Sequence, residues 1–168
     1  MIRLANETDA EAILEIKKGI ILSEETTKFF ISSPDELEDD SENEREKIRT
    51  SREKGNLYAV YEADGEVVGF MVFFRYDMSR LHHAGAMGMG IKEGYTNQGA
   101  GTRLIEYLLD WAEQQDGLEK ICLGVVSGNQ RALNLYTRMG FVEEGRQKNQ
   151  VKYEDGTYAD DVLMAYYI

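Results

Sequence analysis

Apolar positions along this chain follow two periods, and the points where one gives way to the other mark out its elements. Ile13, Leu14, Ile16, Ile20 and Ile21 recur on one helix face, and Thr8-Asp9-Ala10-Glu11 before them has the form of a capping box. A helix is therefore predicted to open there, after a short strand over Ile2 to Ala5. Ser32 to Lys54 is dense in charge and carries few large apolar residues beyond Leu37 and Ile48. Its Ser41-Glu42-Asn43-Glu44 repeats the capping-box form, which predicts a loop followed by an exposed helix. From Leu57 the spacing becomes that of strands: Leu57 to Glu62 and Val67 to Phe74 flank Asp64-Gly65, a strong hairpin signal.

A further strand is predicted over His83 to Ile91, then a helix over Gly99 to Gln114 with Leu104, Ile105, Leu108, Leu109, Trp111 and Ala112 on its inner side. Ile121 to Val126 reads as another strand, and Asn129 to Arg138 as a short helix stopped at Gly140. Phe141 to Tyr153 and Tyr158 to Ile168 form a last hairpin around Asp155-Gly156. This order implies an α/β or α+β fold with a mixed sheet, in a single domain over residues 1–168.

Composition narrows the partners. The 168 residues carry a formal net charge of −12. Such a balance argues against nucleic acid, whose phosphates are held by Lys and Arg, and suits a cationic acceptor. Cys122 is the only cysteine, which excludes an intrachain disulfide and fits a reducing compartment. With no long apolar run at the N-terminus and none of the roughly 18 residues a membrane helix needs, a cytoplasmic, membrane-free location is expected.

The chemistry concentrates in Gly94-Tyr95-Thr96-Asn97-Gln98-Gly99-Ala100-Gly101-Thr102, between a predicted strand and a predicted helix. Unpaired helical N–H groups and the macrodipole make that position an anion site. This acidic chain places no Asp or Glu from Gly94 to Ile105. Gly94 and Gly99 have the Walker A spacing, but Ala100 stands where its Lys would be, which disfavours kinase chemistry. The dinucleotide fingerprint fails as well, because Leu104 occupies the place of its third glycine.

With its flanks from Met89 to Leu104, this segment resembles the core motif of the GCN5-related N-acetyltransferases (GNAT), written Q/R-x-x-G-x-G/A. Asn129-Gln130-Arg131-Ala132-Leu133-Asn134-Leu135-Tyr136-Thr137-Arg138-Met139-Gly140-Phe141 is similar to the family's N-x-x-A-x-x-L-Y-x-x-x-G-F block. The resemblance implies a mostly antiparallel twisted sheet of about seven strands with about four helices, and acetyl-CoA as cosubstrate. It implies that Asn97, Gln98, Gly99, Ala100, Gly101 and Thr102 wrap the pyrophosphate through main-chain N–H groups. Met89 and Ile91 would pair with the pantetheine arm through their backbone, and Asn129 would contact it or serve as a plain N-cap. Tyr136 would protonate the departing thiolate. Thr96 departs from the family's Gln or Arg, Glu93 from a frequent proline, and Ala86 from a frequent general-base Glu.

The expected reaction is direct attack of a neutral primary amine, of a small molecule or a peptide N-terminus, on the thioester, with the oxyanion held by the Ile91 N–H. His83 is the first candidate for the base, followed by His82, Glu24, Glu25 and Asp160. No metal is called for. A catalytically silent coenzyme A-binding module is the alternative, and the resemblance allows a homodimer through the C-terminal strands.

Overall fold

The computed structural model describes all residues from Met1 to Ile168. Its strands are β1 (Ile2–Leu4), β2 (Leu57–Ala63), β3 (Glu66–Arg75), β4 (Ala84–Ile91), β5 (Lys120–Val126), β6 (Val142–Lys152) and β7 (Tyr158–Tyr167). Its helices are α1 (Ala10–Leu22), α2 (Ser41–Glu53), α3 (Ala100–Ala112) and α4 (Gln130–Arg138). The strands form one sheet in the order β1-β2-β3-β4-β5-β7-β6. Every pairing is antiparallel except β4 with β5. This is the expected mixed, mostly antiparallel fold with four helices.

Side-chain alternation divides the sheet into two faces. On the first, Phe73, Met87, Ile121 and Met164 pack with Leu104, Ile105 and Leu108 of α3 and with Tyr136 and Phe141. On the second, Tyr58, Val60 and Phe70 pack against Ile13, Ile16 and Ile20 of α1 and Ile48 of α2. The helices of the second face reach β2, β3 and β4, whereas β5 is approached there by the 3-10 turn Thr27–Phe29.

Two helix starts differ from the sequence expectation. The capping box ahead of α1 is Asn6 with Asp9, not Thr8 with Glu11, and it caps a 3-10 turn over Glu7–Asp9. Arg3 decides between the overlapping patterns: its guanidinium meets both carboxylate oxygens of Asp9, at 2.8 and 2.9 Å. For α2 the N-cap is Asp40, whose carboxylate accepts from the N–H groups of Glu42 and Asn43. Glu44 is thereby freed from capping and turns inward, 1% exposed. Lys17 donates to both of its oxygens at 2.9 Å, and the Tyr58 hydroxyl donates to it as well. The helix expected to be exposed therefore carries a buried carboxylate whose ion pair with the partly exposed Lys17 and bond from Tyr58 fasten α2 to α1 and β2.

The Asp64-Gly65 hairpin forms as expected, with φ of 54° and 77°, the two positive values that its turn type requires.

Candidate active site

β4 and β5 run in parallel only from Ala84 opposite Lys120 to Ala86 opposite Cys122. Beyond that point they separate, and the sheet is split between them. The Lys92 N–H donates to the Val68 carbonyl of β3 at 2.8 Å. Main-chain groups alternate sides along a strand, so those of Ile91 and Met89 are turned away from β3, into the split.

α3 follows β4 through the glycine-rich loop. Asn97 has φ 59° and Gly99 φ 82°, left-handed conformations that curl the main chain at the helix mouth. The Gln98 side chain donates to the Gly94 carbonyl at 2.6 Å and holds the curl. No N–H from Thr96 to Thr102 donates to another group of the protein. Gly101 is required for a different reason: a Cβ there would lie 2.7 Å from Leu135 Cδ2, so α4 rests directly on the α3 backbone. That contact brings the two sequence blocks together.

A cavity of about 830 Å³ runs through the split. Gly99, Gly101, Thr102, Asn129, Leu135 and Tyr136 line it on the first face, and Gly19, Ile20, Glu25, Phe29 and Phe30 on the second. Met89, Ile91, Thr96 and Asn97 also lie on its wall, whereas Gln98 and Ala100 do not. Ala100 is buried beneath the loop.

Tyr136 packs on Phe141 with ring centroids 5.6 Å apart, and its hydroxyl has no hydrogen-bond partner in the protein. Burial pushes the phenol up to about 12, so it stays protonated at neutral pH and can act as an acid. Asn129 is the N-cap of α4, accepting from the Ala132 N–H at 3.2 Å.

The base candidates scatter. His83 is exposed in the turn before β4 and lies outside the cavity. The His82 ring Nδ1 lies 2.8 Å from the Tyr76 carbonyl oxygen. Asp160 accepts the Asn149 N–H at 2.9 Å and belongs to the hairpin. Only Glu25 among them reaches the cavity wall. The physical reason is distance along β4: His83 precedes the strand, while the split opens toward its far end, at about 3.3 Å per residue.

Sequence reasoning missed Arg131 and Arg138, which line the cavity from α4 without a carboxylate partner. Arg138 reaches the Thr102 hydroxyl at 3.4 Å. The signal was present, since positions seven apart share a helix face.

The family model described as Acetyltransferase (GNAT) family matches residues 20–141. The [ribosomal protein bS18]-alanine N-acetyltransferase of Escherichia coli is 31% identical over 97 residues, 58% of this chain and 64% of that protein. The chain thus spans less than two thirds of that relative. A GNAT-family acetyltransferase of Streptococcus pneumoniae superposes with a TM-score of 0.90 at 25% identity, covering 100% of this chain and 99% of the other. The Salmonella typhimurium protein yncA, solved with its cofactor acetyl-CoA, superposes at 0.87 with 20% identity, over 99% and 92% of the two chains.

Proposed function

The chain belongs to the acetyltransferase (GNAT) family, and from that premise we propose that it moves the acetyl group of acetyl-CoA to a primary amine by direct attack. The observation that carries this reading is the row of partnerless N–H groups from Thr96 to Thr102, five of whose seven residues line the cavity that Tyr136 also lines with its free phenol. Backbone amides in a curled loop at a helix mouth suit a diphosphate, and the loop carries no carboxylate to repel one. Arg131 and Arg138 add unpaired positive charge beside it.

In this reading Met89 and Ile91 hold the pantetheine arm through their main-chain groups, and the Ile91 N–H faces the oxyanion as it develops. Tyr136 donates its proton to the departing sulfur. The thiolate, with an ordinary pKa of about 8.5, is a good enough leaving group for a phenol to serve as acid. The amine arrives from the second face, past Phe29 and Phe30, so the two substrates meet in the split. A covalent enzyme intermediate is unnecessary in this arrangement.

The test is thiol release from acetyl-CoA with a panel of amines, run beside calorimetric titration with coenzyme A. Turnover with at least one amine is expected. Coenzyme A binding with no thiol release from any amine would instead favour the catalytically silent module, and absence of both would overturn the reading.

A further inference from the structure

We propose that Asp161 is the carboxylate that receives the acceptor's ammonium group and takes its first proton, a role that rests on the acetyltransferase reading above. Asp161 lies on β7 opposite Val126 of β5 and Gln147 of β6. Its side chain reaches along the second face to Gly124: a Cβ on that glycine would stand 2.8 Å from Oδ1 and 3.3 Å from Oδ2. Gly124 follows Cys122, the last β5 residue paired with β4, on the same face. The carboxylate therefore lies over β5 two residues beyond its last pairing with β4, beside the cavity rather than on its wall.

The floor around it is bare. Gly124 is exposed although it belongs to a central strand, and a Cβ on Gly88 of β4 would meet only Val72, at 3.6 Å. A strap crosses beside this floor. Lys28, in the turn Thr27–Phe29, binds Asp155 at 2.8 Å, and the Tyr153 hydroxyl donates to the Lys28 carbonyl at 2.6 Å. The turn after α1 is thus tied across β5 to the tip of the β6–β7 hairpin.

The Asp161 carboxylate accepts no hydrogen bond and forms no ion pair. The cations on the surrounding elements are engaged elsewhere: Lys28 with Asp155, Lys120 with Glu144, and Arg146 with Glu143. Lys152 lies over the Tyr158 ring, and Lys148 is exposed in the β6 bulge. The other titratable groups near this space include Glu25 of the strap, Tyr153 beside Lys28, and Cys122 with its neighbour Tyr76. A half-buried carboxylate without a counter-ion is an unfavourable state that a substrate cation relieves. Burial raises the Asp161 pKa, which makes it a better proton acceptor than an exposed aspartate.

The step balances as follows. The acceptor enters as R–NH3⁺, and one proton passes to Asp161 and on to solvent. The freed nitrogen pair attacks the thioester carbonyl carbon, a C–N bond forms and the C–S bond breaks. A second nitrogen proton compensates the one that Tyr136 gives to sulfur. The products are the amide, coenzyme A thiol and one proton. Two carboxylates, Asp161 and Glu25, border the acceptor's path, so the favoured class is a primary alkylammonium with no carboxylate on its amine-bearing carbon.

Two measurements on the full chain test this. With coenzyme A bound, n-butylammonium chloride is titrated while the Asp161 carboxyl ¹³C resonance is followed. The resonance should move and saturate, and Asp161→Asn should weaken the titration at least about tenfold, read from bulk shifts. Gly124→Ala, which crowds the carboxylate, should do the same while coenzyme A affinity holds in both variants. In thiol-release assays with n-butylamine, spermidine and a tripeptide, Asp161→Asn should lower kcat/KM about a hundredfold. It should also remove an acid limb lying above the ordinary aspartate range, where activity rises as the carboxylate ionises; Asp160→Asn should keep that limb. An unmoved Asp161 resonance, or an Asp161→Asn enzyme with normal kcat/KM and an intact limb, overturns the assignment. Should the wild type release no thiol with any amine, the acetyltransferase reading fails, and the butylammonium titration alone decides whether Asp161 holds a cation.

Discussion

The two faces of the sheet meet at one split but present opposite kinds of polarity to it. On the α3–α4 face the polar groups are main-chain amides without partners, two unpaired arginines and a protonated phenol. On the α1–α2 face they are carboxylates above a glycine floor. The first arrangement suits an anionic ligand and the second a cationic one. A chain of net charge −12 can therefore hold a polyanion, because the attraction is local and comes from oriented dipoles rather than from bulk charge.

The contrast can be broken most strongly at its chemical end. Tyr136→Phe should lower kcat by about 10²- to 10⁴-fold while calorimetric affinity for coenzyme A stays within about twofold, because the change removes an acid and little packing. Gly101→Val should come next: its Cβ would strike Leu135, and coenzyme A affinity should drop by about 100-fold, roughly 2.7 kcal/mol, in a protein whose circular dichroism is retained. An unchanged affinity would mean that the loop is not the anion site.

The second face is sharpened by Glu44→Ala, which strands Lys17 and Tyr58 and should cost about 3 kcal/mol of stability in denaturant unfolding. Coenzyme A affinity measured on the still-folded variant should be unaffected, since Glu44 lies away from the first face. The smallest effects are expected for Thr96→Ala and His83→Ala, each within about twofold in kcat/KM, the first because the proposed binding rests on amides rather than on that side chain and the second because His83 precedes β4, at the end away from the split. A large loss in either would shift the weight back to side-chain recognition or to a histidine base.

The loop and helix that line the first face were legible in the sequence because their determinants are contiguous. Gly99 supplies a left-handed turn, Asn129 caps its own helix, and Tyr136 stands at a fixed offset from it. The second face was not, because its groups come from distant segments. The sequence offers Asp160 as a base and nothing in it singles out Asp161; alternation along β7 turns Asp160 to Asn149 and Asp161 over Gly124. Capping patterns overlapped at Asn6 to Glu11, and a distant partner, Arg3, chose between them.

Sequence alone thus determined the elements, their order, the family resemblance and the glycine-rich loop that lines the cavity, since each depends on residues only a turn or two apart. The tertiary structure decided which carboxylates are satisfied and which are not. Lys28, Lys120 and Arg146 find partners across strands and loops, and Asp161 is left over. That remainder depends on pairings between residues up to 127 positions apart, as in Lys28 with Asp155, and only the folded sheet brings such residues into contact.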